Sequence, residues 1–298
     1  MLEQLQAYLT GDLRFNEPMS EHSSFRIGGV ADALYVPSSV AELKKAFALA
    51  LLLGIPVTIL GQGSNLLVLD GGIRGLVIKL ASTLDWVEVR GTEVVAGCGV
   101  LLSTLAHQAA EASLTGLEFA AGIPGTLGGA LTMNAGAYDG EMKDVVTSVL
   151  VLTAEGHEQL LTPDELSFGY RQSLLQKKKL IALEATLALK SGSREQIYAK
   201  IEDLNRRRRE KQPLTLPSAG SVFKRPPGHF AGTLIEQAGL KGHRIGGAEV
   251  STLHAGFIVN VGQATAKDVR ALICHIQAVV KDKFNVWLEP EIRIIGEE

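Results

Sequence analysis

Cysteine is nearly absent: the 298 residues hold two, Cys98 and Cys274. They lie far apart, form no Cys-x-x-Cys pair and have no histidine pattern beside them, which excludes a disulfide framework and a structural zinc site. Both are expected to be reduced and buried, and no metal is expected. An excess of basic charge is missing too. The 29 Lys and Arg against 32 Asp and Glu leave a formal net charge of −3, whereas a nonspecific nucleic-acid binder is normally basic. No Gly-x-x-x-x-Gly-Lys-Ser/Thr occurs, so a P-loop is out, and no Gly-x-Ser-x-Gly supports a hydrolase triad. Internal repeats and low-complexity tracts are absent as well.

The opening "MLEQLQAYLTGDLRF" carries an early glutamate and no cationic lead into an apolar stretch, so it does not read as a signal peptide. From Ala46 to Leu69 there is no charged residue, which is long enough to span a bilayer. Gly54, Pro56, Gln62, Ser64 and Asn65 interrupt it, however, and would leave polar groups in lipid. The stretch reads instead as a buried helix, a short strand and a loop, and the protein is placed in the cytoplasm. With 46% hydrophobic and 20% charged residues, the chain is expected to be soluble and globular, with room for two domains.

Ser39 is the expected N-cap of an apolar helix reaching about Leu53, followed by a buried strand at 55–60 and then "GQGSN". Alternating runs predict hairpins over 86–97 and 148–161, a strand over 180–189 and a last strand over 286–295. Thr162 with Glu165 has the spacing of a capping box, and Thr265 with Asp268 opens a long helix. A polar helix over 194–212 ends at Pro213, and further elements are expected at 231–238 and 256–260. Strands and helices alternate without a strict βαβ rhythm, which favours an α+β fold.

Five glycines and a proline crowd "AGIPGTLGGALTMNAGAY" (121–138), which carries no charge before Asp139. Glycine is used where φ must be positive or where something must approach the main chain closely. That points to an anion held by peptide N–H groups, in a turn or at a helix start. "LGQGSNLLV" (60–68) adds a Gly-x-Gly after a strand, although Leu66 replaces the third glycine of a dinucleotide fingerprint. Alone it is as well read as a tight turn; two donor-rich loops together, 61–65 and 122–129, can clasp a pyrophosphate. "FGYRQS" (168–173) sets Tyr170 beside Arg171, and "PSAGSVFKRP" (217–226) holds Ser221 three residues before Lys224. In "VWLEPEIRII" a period of two puts Trp287, Glu289, Glu291 and Arg293 on one face, as a solvated edge or with one carboxylate in a site. Arg206 to Arg209 sit near a helix C-terminus, facing solvent or a phosphate-bearing ligand.

"SSFRIGG" (23–29), "LGQGSNLLV", "AGIPGTLGGALTMNAGAY", "YRQS", "PSAGSVFKRP" and "LEPEIRIIG" resemble, in order from Ser23 to Gly296, the UDP-N-acetylenolpyruvylglucosamine reductases, the MurB flavoenzymes of peptidoglycan synthesis. The resemblance implies an FAD-binding domain of the vanillyl-alcohol-oxidase type plus a C-terminal α+β substrate-binding domain. The implied division is an N-terminal segment 1–22, an FAD-binding region 23–203 of two α+β subdomains, and a substrate-binding domain 204–298. FAD would be held by Arg26, Gly61, Gly63, Ser64 and Asn65, and by Gly122, Pro124, Gly125, Thr126 and Gly128. Tyr170, Lys224, Arg225 and His254 would hold the enolpyruvyl sugar nucleotide.

The implied catalytic set is Arg171, Ser221 and Glu291. NADPH would reduce the flavin and leave, and hydride would then pass from flavin N5 to the enol ether. Arg171 and a protonated Glu291 would flank the substrate carboxylate on which charge develops. Ser221 would give the proton, its acidity resting on Lys224 and on exclusion of solvent. The implied partners are small molecules, with no nucleic acid and no membrane, and the chain is expected to act as a monomer. It resembles the shorter, type II branch: the tyrosine-bearing loop of the longer branch is not found, Arg225 stands where that branch has asparagine, and His254 where it has glutamine. An FAD oxidase and a non-catalytic nucleotide-binding module are rival readings. The loops have no histidine or cysteine to tether a flavin covalently, and the Arg171, Ser221 and Glu291 set stands against a module without chemistry.

Overall fold

The computed structural model describes residues 2–80, 82–138 and 140–298. Local signals in the sequence are met by local structure. Ser39 caps helix α1 (Val40–Leu52), its side chain accepting from the Glu42 N–H. Complete capping boxes join Thr162 to Glu165 and Thr265 to Asp268, each satisfying N–H groups that a helix start leaves unpaired.

The chain divides into two compact units. The first holds the chain up to Arg14, Leu34–Gln62 and Leu76–Arg208; the second holds Phe15–Ala33, Gly63–Gly75 and Arg209–Glu298. The sequence reading expected contiguous blocks with a boundary at residue 204. The difference has a physical cause: Phe25, Ile27 and Leu67 bury themselves in a core otherwise built from residues beyond 218. In addition, the short strand Leu66–Val68 pairs in parallel with Arg293–Ile295.

Within the first unit, a five-stranded antiparallel sheet runs in the order Glu158–Leu161, Val146–Leu152, Ile181–Ala188, Glu93–Gly97, Val87–Arg90. Both predicted hairpins are part of it. Its buried residues, among them Val94, Val149 and Leu187, pack with Leu105 and Ala109 of α2 (Leu102–Glu111) and with Leu127 and Leu131 of α3 (Leu127–Met133). The second unit packs a three-stranded sheet, Arg244–Ile245, Ala248–Val250 and Ile258–Asn260, against the helix Ala266–Phe284.

Two expectations change. The strand predicted over 286–295 is formed as a ladder only at Arg293–Ile295; at Pro290 the chain makes an isolated antiparallel bridge to Phe223, with Lys224 N–H donating to Glu289 O and Glu291 N–H to Val222 O. The alternation survives as far as residue 292 all the same, with Leu288 and Ile292 buried and Trp287 and Glu289 exposed. Cys98 is buried, and burial pushes its thiol pKa up. Cys274, on the outer face of its helix, is exposed rather than buried. A thiol titration of the native protein is therefore expected to count one fast-reacting cysteine, and two after denaturation; two fast thiols in the native state would contradict the burial of Cys98. Among the described residues no helix is long and apolar enough to cross a membrane, and no group of three or more His, Cys, Asp or Glu is placed to hold a metal.

Candidate cofactor cradle and active site

Thr126 caps α3, its Oγ1 accepting from the Gly129 N–H at 3.3 Å. The neighbouring donors are occupied as well: Leu127 N–H donates to Val100 O, Gly128 N–H to Cys98 O and Ala130 N–H to Thr126 O. Beyond its cap residue, the start of this helix thus offers an anion no free amide. The loops do. The amides of Gly61, Gln62, Gly122, Gly125 and Thr126 have no acceptor among the described residues, so water or an anion must meet them.

The loops abut one another. A Cβ on Gly61 would stand 2.7 Å from Thr126 Oγ1, and one on Gly122 would stand 2.5 Å from Asn205 Oδ1 and 3.2 Å from Arg208 Cδ. Gly125 has φ +135°, a conformation that side chains disfavour. Gly128 is closed in by the Cys98 carbonyl, while Pro124 is exposed.

Asn205 and Arg208 come from the helix Arg194–Lys211. In the arginine run, Arg206 and Arg207 pair with Asp203, whereas Arg208 is half-buried and has no carboxylate partner among the described residues. Desolvation lowers its pKa, opposed by nearby Tyr138. From sequence alone the run faces either solvent or a phosphate-bearing ligand. A signal that separates the four was available: Ile197 and Ile201 are buried, and Asn205 and Arg208 continue that stripe at helical spacing.

At the far end of α3 the chain turns at Asn134, in the left-handed region at φ +42°. The side chain of Asn134, fully buried, donates to Glu141 Oε2 (2.7 Å) and to Gly169 O (3.2 Å), and accepts from Lys143 N–H (2.9 Å). Gly169 begins the tight turn that carries Tyr170 and Arg171; Gly169 and Gln172 exchange both backbone hydrogen bonds. Arg171 is itself left-handed at φ +55°, donates from Nη2 to Gly136 O at 3.2 Å and stacks 5.1 Å from the Tyr170 ring centre. Buried Ser173 closes the turn by donating to Thr132 O.

In the second unit Ser221 lies between two neighbouring segments. Val222 N–H donates to Gly256 O, and Glu291 N–H donates to Val222 O at 2.7 Å, which sets Glu291 beside the serine's own stretch of chain. Ser221 Oγ donates to Phe223 O at 3.3 Å. Lys224, expected to support the serine, instead pairs with Glu289, the nearer carboxylate. Gly256 donates its N–H to His254 Nδ1, and a Cβ there would stand 3.5 Å from Ser221 Oγ. Burial lowers the pKa of His254, with Lys241 adding to the effect, so the ring is neutral near pH 7. Arg225 stacks 3.9 Å from the ring centre of Phe230.

Of the remaining predicted residues in this unit, Arg26 is left-handed at φ +54° and Ser64 is half-buried. Gly63 is required as glycine by the His22 carbonyl, 2.1 Å from where a Cβ would be. Asn65 donates from Nδ2 to Glu291 O at 3.4 Å. The predicted residues are thus divided: Arg171 and Tyr170 belong to the first unit, Ser221, Glu291, Lys224, Arg225 and His254 to the second.

The class follows from comparison. The family model of an FAD binding domain matches residues 31–161, and the chain is an α+β flavoprotein. The C-terminal domain of UDP-N-acetylenolpyruvoylglucosamine reductase matches residues 212–295. The chain is 56% identical over 288 residues to the UDP-N-acetylenolpyruvoylglucosamine reductase of Caldanaerobacter subterraneus subsp. tengcongensis, covering 97% of this chain and 95% of that protein. It is 50% identical to that of Latilactobacillus sakei subsp. sakei, covering 100% and 99%. The crystal structure of UDP-N-acetylenolpyruvylglucosamine reductase (MurB) from Thermus caldophilus superposes with a TM-score of 0.83 at 37% identity, over 97% of this chain and 100% of that one. The chain belongs to the UDP-N-acetylenolpyruvoylglucosamine reductase family, flavin-dependent oxidoreductases of the UDP-N-acetylmuramate dehydrogenase class, and its length is that of the shorter branch.

FAD is the cofactor of this family, and the first unit fits it. Amides on two touching loops and a half-buried guanidinium, without acceptor or carboxylate partner among the described residues, complement the negative charge of a pyrophosphate.

Proposed function

We propose that this chain carries out the NADPH-dependent, FAD-mediated reduction of UDP-N-acetylglucosamine enolpyruvate to UDP-N-acetylmuramate, a step of peptidoglycan precursor synthesis. It does so as a cytoplasmic monomer whose partners are small molecules, and its product serves cell wall biogenesis and, through it, cell shape and division. The observation that supports this reading best is the hydrogen bond between Glu291 N–H and Val222 O, which sets the main chain of Glu291 beside the serine segment in the second unit. When bound, FAD supplies the hydride.

The protein's own residues supply charge and a proton. Arg171 and Glu291 bind the carboxylate of the enolpyruvyl group, and the arginine offsets the negative charge that builds there in the transition state. Ser221 holds the proton destined for the carbanionic carbon. His254, with Nδ1 accepting from Gly256, carries its ring proton on Nε2 and offers the substrate a neutral donor. Tyr170, Lys224 and Arg225 complete the contacts to the sugar nucleotide. In the first unit Gly61, Gly122, Gly125, Thr126 and Arg208 hold the cofactor's pyrophosphate, with Pro124 and Gly128 shaping the loop. In the second, Arg26, Gly63, Ser64 and Asn65 contribute further contacts.

An anaerobic titration tests the whole scheme. NADPH is expected to bleach the visible flavin absorbance, and the enolpyruvyl sugar nucleotide to restore it one for one. Restoration by air faster than by that substrate would favour an oxidase and overturn the reading. For Glu291, a glutamine that still donates a hydrogen bond is expected to cost about tenfold in the rate of this second step, and an alanine about a hundredfold or more. The reverse order would remove the protonated carboxyl from the scheme.

A further inference from the structure

The turn that carries Arg171 is tied to the C-terminal end of α3, whose other end is the Thr126 cap of the glycine loop. Two buried side chains make the tie. Asn134 donates to Gly169 O, directly before Tyr170 and Arg171, and Ser173, two residues after Arg171, donates to Thr132 O. Asn134 also fixes the other wall of the turn: its bonds to Glu141 and to Lys143 N–H hold the stretch after Gly136, and Gly136 O accepts from Arg171 Nη2. Arg171 sits at positive φ, a conformation the surroundings must hold in place.

Resting on the assignment of Arg171 above, we propose that Asn134 is a positioning residue for the reduction of the enolpyruvyl substrate: its buried amide fixes the backbone on both sides of Arg171 and thereby the direction of the guanidinium. The amide is suited to this because it donates twice and accepts once at the same site, which neither aspartate nor serine can do. A guanidinium displaced by about 1 Å loses on the order of a hundredfold in rate.

The variant N134G tests this. Glycine accepts the left-handed φ, so the helix still ends correctly while all three side-chain hydrogen bonds are lost. Holoenzyme reduced chemically and mixed anaerobically with saturating UDP-N-acetylglucosamine enolpyruvate is expected to reoxidise 10- to 100-fold more slowly than wild type. FAD affinity, read by quenching of flavin fluorescence, is expected to stay within about threefold. On an R171A background, N134G is expected to add less than about threefold, because its effect passes through the arginine. A full additional loss on that background, or an unchanged reoxidation rate in N134G, would overturn the proposal. If N134G does not fold, N134D carries the test: it keeps the acceptor for Lys143 but turns the donor toward Gly169 O into a repelling oxygen, and an unaltered rate there would likewise overturn it. If R171A alone leaves reoxidation unchanged, the reading of Arg171 fails and the proposal falls with it. A slow R171A beside a normal N134G removes only the positioning role.

Discussion

Ser221→Ala is expected to slow transfer from the reduced flavin to the enolpyruvyl substrate by about 10³-fold, while flavin reduction by NADPH stays within about twofold of wild type. A factor of 10³ corresponds to about 4 kcal/mol of transition-state stabilisation, within reach of one well-placed general acid. The structure explains why the variant should fold. Ser221 is joined to its neighbours through the backbone of Val222, and its hydroxyl makes one long bond, 3.3 Å, to Phe223 O. Losing that bond costs roughly 1 kcal/mol at most.

The hydroxyl donates to Phe223 O, and Lys224 is engaged by Glu289. On the proposed role, the proton would leave the serine under the pull of the developing carbanion with water excluded, without help from a neighbouring ammonium. Lys224→Met is accordingly expected to weaken substrate binding more than it slows the chemical step. Stopped-flow measurement of the two half-reactions separates the possibilities, and equal damage to both by Ser221→Ala would take the proton from Ser221.

Local determinants were the legible part of this chain. Ser39, the Thr162 and Thr265 capping boxes, both hairpins and the two glycine loops depend on residues a few positions apart, and the structure has each of them. What escaped depends on contacts distant in sequence. Nothing in "SSFRIGG" shows that Phe25 and Ile27 bury themselves among residues beyond 218, so contiguous domains were the natural expectation. The same holds for Lys224, whose partner lies 65 positions away. Alternation over 286–292 was real, but its pairing depends on a partner distant in sequence, and there it amounts to an isolated bridge between Pro290 and Phe223. Arg208 is the opposite case. Its signal was local, a helical stripe beginning at Ile197, and was masked by three arginines beside it whose side chains face outward.

Removal of that guanidinium, Arg208→Ala, is expected to raise the dissociation constant for FAD on the order of a hundredfold, about 2.7 kcal/mol. The stability of the two forms should respond in opposite senses. In the protein without FAD, Arg208 is a half-buried cation whose charge is penalised by desolvation and offset by no carboxylate among the described residues. Deleting it relieves that cost, and the melting temperature of the flavin-free protein should hold or rise. The FAD-bound protein should melt lower than wild type, because stabilisation by a ligand falls as its affinity falls. Lysine at this position keeps the charge but not the paired donors, and is expected to recover part of the affinity. An arginine that served only to hold its helix against Gly122 would show a different pattern, with the flavin-free protein losing stability first and FAD affinity changing no more than the fold does. Thermal melts with and without excess FAD, on the two variants and wild type, decide between these two roles.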